Sequence, residues 1–482
     1  MSDDRFASRR AHLLARLGDT LAVIPAGREQ IRNDDVPHPF RQDSDFHFLT
    51  GFSEPDAVAV FDATSDQPYT LFVRQRDPEA EAWTGRRAGV EGARERFGAD
   101  VAYPLEALPD QLRVRLAGRR SVGYAVGGPV DDAVLGAVRA VRGYARKSGV
   151  QVPVEIVDVR ALLHELRLVK SADEIEALRE ACRISAAAHT EAMRFAAPGR
   201  TERQVQAVVE YVFGVMGAER VGYGSIVAGG ENACILHYIE NAAGLEDGEL
   251  LLVDAGAEYR HLTSDITRTF PVNGRFSTPQ RELYQLVLRA QQEVMAMCRP
   301  GLPFTDMHAR AVEVLSAGLV ELGLLPGPAE EVVAKGWYRQ FFFHGTGHWL
   351  GIDVHDAGTT RLGGEGRLLE PGMAFTVEPG VYVAREKAAL ALSHAAYDPD
   401  ERLRLTFELG RAGARAEIER READAGTFAY EVPPAFLGLG IRIEDDLLIT
   451  DDGYENLSAA APVEPDEVEA RCAEDSVLPV FD

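Results

Sequence analysis

ELLLVDAGAEY (249–259) and MAFTVEPGVYV (373–383) share one form: an apolar strand, one acid, a small residue or proline, a glycine, then tyrosine. A second acid-bearing strand follows each, TSDITRTF (263–270) and GIRIEDDLLIT (440–450). The chain therefore reads as an internal twofold repeat, each half supplying a pair of acid-bearing strands. With the first turn at Tyr259-Arg260, Asp254 is expected opposite Asp265, and directly opposed residues share a face. Two facing carboxylates on buried strands repel and are costly to desolvate. Two separate salt bridges, or another register, would relieve them; a divalent cation is the stronger reading. In the second repeat the corresponding acids are Glu378 and Glu444. Arg442, two residues from Glu444, shares its face on a strand and is expected to orient that carboxylate.

Outward from these strands, histidines gather. FFFHGTGHWLGIDVHD (341–356) holds His344, His348 and His355, in a chain with 12 histidines, and His237 lies just before the first repeat. A lone histidine is usually structural; three on a glycine-broken aromatic stretch point to a site. Gly345, Gly347 and Gly351 let the backbone bend and approach a ligand. Two Asp, two Glu and one His are too carboxylate-rich for one structural zinc. They suit two bridged divalent ions, Mn²⁺ foremost, with Co²⁺, Fe²⁺ or Zn²⁺ compatible. Paired ions of this kind serve hydrolysis.

Helices precede the strands. SADEIEALREACRISAAAHTEAMRF opens with Ser171 and Glu174, a capping box, and stops at Pro198-Gly199. TERQVQAVVEYVFGVMGA repeats that recipe, and PQRELYQLVLRAQQEVMAMC and DMHARAVEVLSAGLVELG are further helical stretches. Residues 1–168 read as a separate α/β domain. TLAVIPAG, AVAVFDA, YTLFVRQ and VEIVDV are its strands, DDAVLGAVRAVRGYARKSG a helix, and no glycine-rich phosphate loop follows any strand. Residues 169–482 form the second domain. Within it, 385–432 is a long charged insertion in which Leu403, Leu405, Phe407 and Leu409 alternate, predicting a strand that continues as a helix. It is either a solvated elaboration or a lid or subunit contact narrowing the cleft. The acidic tail from Val463 is expected to be loosely ordered.

Composition sets the outer bounds. The chain has 482 residues, 46% hydrophobic and 26% charged, which is globular. Its net charge of −25 argues against sequence-independent nucleic-acid or anionic-membrane binding. Four cysteines without a Cys-x-x-Cys pair fit a reducing compartment. No signal peptide and no spanning helix is read, so a cytoplasmic setting is expected. No G-x-S-x-G elbow supports a serine hydrolase.

VDAGAEY, SDITRTFPVNG, HGTGHWLGIDVHD, EPGMAFTVEPGVY and GIRIEDD resemble the motifs of the pita-bread metallopeptidases. FRQDSDFHFLTGFSEPDAVAVF (40–61), WTGRRAG (83–89) and HELRLVKSADEI (164–175) resemble the Xaa-Pro aminopeptidase, or aminopeptidase P, branch. The resemblance implies a creatinase-like α/β domain followed by an α+β pita-bread catalytic domain. It implies a dinuclear site, usually Mn²⁺, held by Asp254, Asp265, His348, Glu378 and Glu444, and a bridging hydroxide that attacks the Xaa-Pro carbonyl. By the same resemblance Glu378 shuttles the proton, His237 and His355 face the scissile carbonyl and the proline, and His344 and Arg442 support them. The implied substrates are peptides with proline second, and the implied assembly is a homo-oligomer, dimer or tetramer. The 66-residue separation of Glu378 and Glu444 departs from the family pattern. A prolidase restricted to dipeptides, or a non-catalytic binding module on the same fold, stays open.

Overall fold

The computed structural model describes residues 4–478 and divides the chain into two compact units, Met1–Arg167 and Leu168–Asp482. In the first unit, apolar β runs form a six-stranded sheet in the order Val101–Pro104, Tyr69–Val73, Val58–Phe61, Leu21–Pro25, Ser121–Gly123, Glu155–Val157. Val58–Phe61 runs antiparallel to both neighbours and the remaining pairs are parallel. Four of these strands follow from sequence pattern; Val101–Pro104 and Ser121–Gly123, only 4 and 3 residues long, do not. Leu112 and Leu116 of helix Leu108–Leu116, with Val134 and Val141 of helix Asp131–Ser148, pack on Val23, Val60 and Phe72 of the sheet.

In the second unit, helices come first as read. Ala172–Phe195 starts at a capping box in which Glu174 accepts from the Ser171 amide (2.9 Å) and hydroxyl (2.7 Å). Glu202–Val215 starts the same way, with Thr201 and Gln204. Thr278–Met297 and Phe304–Glu321 pack on each other and share the largest core with the second repeat's strands.

The twofold repeat is present. Leu250–Asp254 pairs antiparallel with Thr267–Pro271, and Ala374–Val377 pairs antiparallel with Asp445–Ile449. An isolated bridge, Thr267 to Glu444, joins the halves, so all four acids converge. The first hairpin's register differs from the expectation. Its turn lies at Arg260-His261, both left-handed (φ 51° and 63°), as a tight turn between right-twisted strands requires. Asp254 therefore faces Thr267, not Asp265. The slip is two residues, the side-chain period of a strand, so Asp265 stays on the side of Asp254.

Two further expectations are corrected. The stretch Leu403–Leu409 is helical: Pro399–Ala425 is a helix broken at Gly410 (φ 70°). Asp398 caps its start, accepting from the Asp400 and Glu401 amides, and Arg421–Glu401 and Arg402–Glu422 pairs (both 2.8 Å) tie its halves together. It hangs from the paired strands Ala389–Ser393 and Thr427–Glu431. The tail is ordered through residue 478. Pro465–Cys472 is a helix with Val468 fully buried, and Glu191 accepts from Ser476 and the Val477 amide. Residues 479–482 of that expectation lie outside the described ones.

Candidate active site

The nine residues singled out by sequence line one cavity of about 310 Å³: His237, Asp254, Asp265, His344, His348, His355, Glu378, Arg442 and Glu444, with Leu236, Gly345 and Gly347. No residue of 385–432 lines it. Strand geometry explains the acids. Asp254 ends its strand, Glu378 follows Ala374–Val377, and Glu444 precedes Asp445–Ile449. Each side chain leaves an apolar ladder at its open end and points into the same space. Asp265, Glu444 and His348 place one ligand atom each within 4.8 Å of one another.

The histidine loop is seated by a close backbone approach. A Cβ on Gly347 would lie 2.0 Å from the Thr376 carbonyl oxygen, so only glycine lets this loop lie on the strand. The His348 amide then donates to Thr376 Oγ1 (3.2 Å) and the Thr376 amide to the His348 carbonyl (3.0 Å). His348 Nδ1 lies 3.0 Å from the Trp349 carbonyl. A carbonyl can only accept, so Nδ1 carries a proton, and Nε2 faces Asp265 (3.4 Å) and Glu378 (3.7 Å), where loss of its own proton would leave a lone pair for a metal.

Arg442 is 4% exposed, and its contacts correct the expectation. It does not orient Glu444. Its Nη2 donates to Asp254 Oδ2 (2.5 Å), Nη1 to the Tyr382 hydroxyl (3.0 Å) and Nε to Thr267 Oγ1 (3.2 Å). Glu444 is instead oriented by Thr267, whose hydroxyl donates to Oε2 at 2.6 Å. Tyr382 in turn donates to His344 Nε2 (2.9 Å), and His344 Nδ1 donates to the Gly345 carbonyl (2.7 Å). Burial, then the Arg442 charge, lowers His344 to about 3, so it stays neutral at this end of the chain of bonds. Tyr223 contacts two acids at once: its hydroxyl lies 2.6 Å from Asp254 Oδ1 and 2.5 Å from Asp265 Oδ1. Sequence reading missed Tyr223, Thr267 and Tyr382. Only Tyr382 carries a signal, as the tyrosine that closes each repeat.

Electrostatics tests whether a cation fits. Burial raises Glu444 well above the usual carboxylate range, and the charges of Asp265, Glu378 and Asp254 push the same way. Burial raises Glu378 to about 7, against the pull of His348 and Arg442. Asp265 is raised by burial too. Four carboxylates thus share one cavity with one guanidinium and four imidazoles, of which His348 is raised toward its charged form and His344 held neutral, so the acids outnumber the cations that meet them. Divalent ions fit this donor set of carboxylates and one imidazole.

Residues 176–451 match the family model of metallopeptidase family M24, and residues 6–123 that of the aminopeptidase P N-terminal domain. An Xaa-Pro aminopeptidase of Escherichia coli is 39% identical over 98% of both chains, and one of Haemophilus influenzae is 36% identical over 97% of this chain and 96% of its own. The structure of Pseudomonas aeruginosa aminopeptidase PepP superposes with a TM-score of 0.86 at 42% identity, covering 98% of each chain. Escherichia coli aminopeptidase P in complex with substrate superposes with a TM-score of 0.85 at 38% identity, again over 98% of each. The first unit is thus the aminopeptidase P N-terminal domain, the second has the pita-bread fold, and the chain belongs to metallopeptidase family M24.

Proposed function

We propose that the protein is an Xaa-Pro aminopeptidase, hydrolysing the bond between an N-terminal residue and the proline that follows. The observation that carries this reading is the meeting of Asp254, Asp265, His348, Glu378 and Glu444 in one cavity whose wall holds His237, His344 and His355. The relatives named Xaa-Pro aminopeptidase, alike over nearly the whole of both chains, support it. The five first-named residues would hold two divalent ions, and Mn²⁺ suits their hard oxygen donors. Bound there, the ions supply a water of lowered pKa and polarise the scissile carbonyl.

The chain's own groups do the rest. Glu378, whose carboxylate lines the cavity beside the other four, takes the proton of the attacking water and delivers it to the proline nitrogen as that bond breaks. That nitrogen is tertiary in the peptide and has no hydrogen of its own, so it needs this proton to leave as an amine. His237 and His355, both exposed at the cavity, steady the carbonyl oxygen and flank the proline ring. Arg442 occupies the second oxygen of Asp254 and holds that carboxylate in one pose. The four cysteines are unpaired, which favours a reducing, cytoplasmic setting.

The test is metal-stripped protein assayed on an Xaa-Pro dipeptide and an Xaa-Pro-Yaa tripeptide. Mn²⁺ should restore tripeptide cleavage at two ions per chain. Restored cleavage of the dipeptide alone would make the protein a prolidase, and no response to Mn²⁺, Co²⁺, Fe²⁺ or Zn²⁺ would sink the metallopeptidase reading.

A further inference from the structure

His237 is exposed, and among the described residues no group hydrogen-bonds its imidazole. Its place must come from its backbone. From Gly230 to Ala243 the segment holds the short 3₁₀ turn Gly230–Cys234 and no strand, so no sheet ladder holds it. Its most connected tie is one buried side chain. Glu202, 0% exposed, accepts on Oε1 from the Gly229 amide (2.8 Å) and Asn232 Nδ2 (2.9 Å). On Oε2 it accepts from the Tyr238 hydroxyl (2.9 Å) and the Ala243 amide (2.8 Å). The carboxylate thus ties both ends of the segment and the residue next to His237.

Two features make this tie rigid. Glu202 is the first residue of helix Glu202–Val215, whose amide ends favour a carboxylate there, and the Thr201 cap fixes that helix start. Asn241, also 0% exposed and left-handed (φ 46°), closes the far end. Its Oδ1 accepts from the Val227 amide and its Nδ2 donates to the Ser225 carbonyl. Tyr238 is 8% exposed, so its ring is anchored in the core while the neighbouring imidazole faces the cavity.

We infer that Glu202, acting through Tyr238, is the positioning residue for His237. The inference rests on the proposed role of His237 at the substrate. Glu202 touches neither substrate nor metal ligands; it sets where the imidazole stands, and displacement of a positioned group by about 1 Å can cost up to about a hundredfold in rate.

The mild probe is Tyr238→Phe, which deletes one hydroxyl and keeps the buried ring. In fully metal-loaded enzyme it should lower kcat/KM for an Xaa-Pro-Yaa tripeptide about tenfold, with metal content and melting temperature near those of the unmodified protein. Glu202→Gln should lower it further, because its amide group would meet two donors. The deciding measurement is a double-mutant cycle. In a His237→Ala background, Tyr238→Phe should cost nothing more. An equal loss in both backgrounds would make Glu202 a staple of the fold alone and overturn the inference. So would unchanged kinetics of Tyr238→Phe in a chain that His237→Ala impairs. If His237→Ala is itself harmless, the proposed role of His237 fails, and the inference falls with it.

Discussion

Stripping the metals should make stability fall as pH rises. In the metal-free chain burial holds Glu378 at about 7, against an ordinary 4.5. The native state therefore keeps a proton that the unfolded chain has already released. A native state holding more protons loses stability as pH increases, here through the window from about 4.5 to about 7. For Glu378 the difference is worth about 3 kcal/mol. His348 acts in the same direction. Burial opposes its charge, but the Asp265 hydrogen bond and the charges of Asp265 and Glu378 raise it to about 9. Its stabilisation is complete below the unfolded value near 6.5 and is lost as pH rises toward 9. Bound metal needs both groups deprotonated, so loading should displace these protons and remove the slope. The assay is urea denaturation of chelated and Mn²⁺-loaded protein at about pH 5.5 and about pH 8. Chelated protein should lose at least about 3 kcal/mol more than loaded protein between the two. Glu378→Gln should remove much of the excess slope from the chelated form. Chelated protein as stable at the higher pH as at the lower would refute the reasoning.

Gly347→Ala should lift the His348 loop from its strand, since the new Cβ would lie 2.0 Å from the Thr376 carbonyl oxygen. The cost should be about 1–3 kcal/mol of stability, read by urea denaturation, with a drop in metal content read by elemental analysis. His355→Ala should slow tripeptide cleavage about 10²–10⁴-fold with metal content unchanged. Loss of metal together with rate would make His355 a ligand.

How much of this could be read from sequence depended on whether a misplacement changed a side chain's face. Acids on apolar strands are conspicuous, because burying them without a partner is expensive. The hairpin register was wrong by two residues, yet Asp254 and Asp265 still meet the same cavity, because two is the period of a strand. Hydroxyl groups had no such protection. Tyr223 and Thr267 hold three of the acids between them, but tyrosine and threonine are ordinary strand residues and their partners are distant in the chain. Arg442 shows the limit of face-sharing: two residues from Glu444 on its strand, it nevertheless sends its guanidinium across the repeat to Asp254, 188 positions away.

The insertion shows which local signals outrank alternation. Leu403, Leu405, Phe407 and Leu409 alternate as in a strand, yet only Leu405 is buried, while Leu403 is 66% and Phe407 91% exposed. A strand would need a ladder partner for that row, and none is offered. The Asp398-Pro399 start, with Arg404–Glu408, Arg415–Glu419 and Arg420–Asp424 four residues apart, meets the demands of a helix without any partner strand. The paired strands beneath it dock elsewhere than the cavity. Tyr430 donates to the Gly323 carbonyl, and Trp337 Nε1 to that of Ser393. The acid-bearing repeat is thus split by a branch whose fastening lies on the helices behind it. Long separation of Glu378 from Glu444 in sequence therefore leaves their meeting in space intact: the strands Gly380–Val383 and Leu439–Arg442 pair directly across the branch and close the gap before the acids are reached.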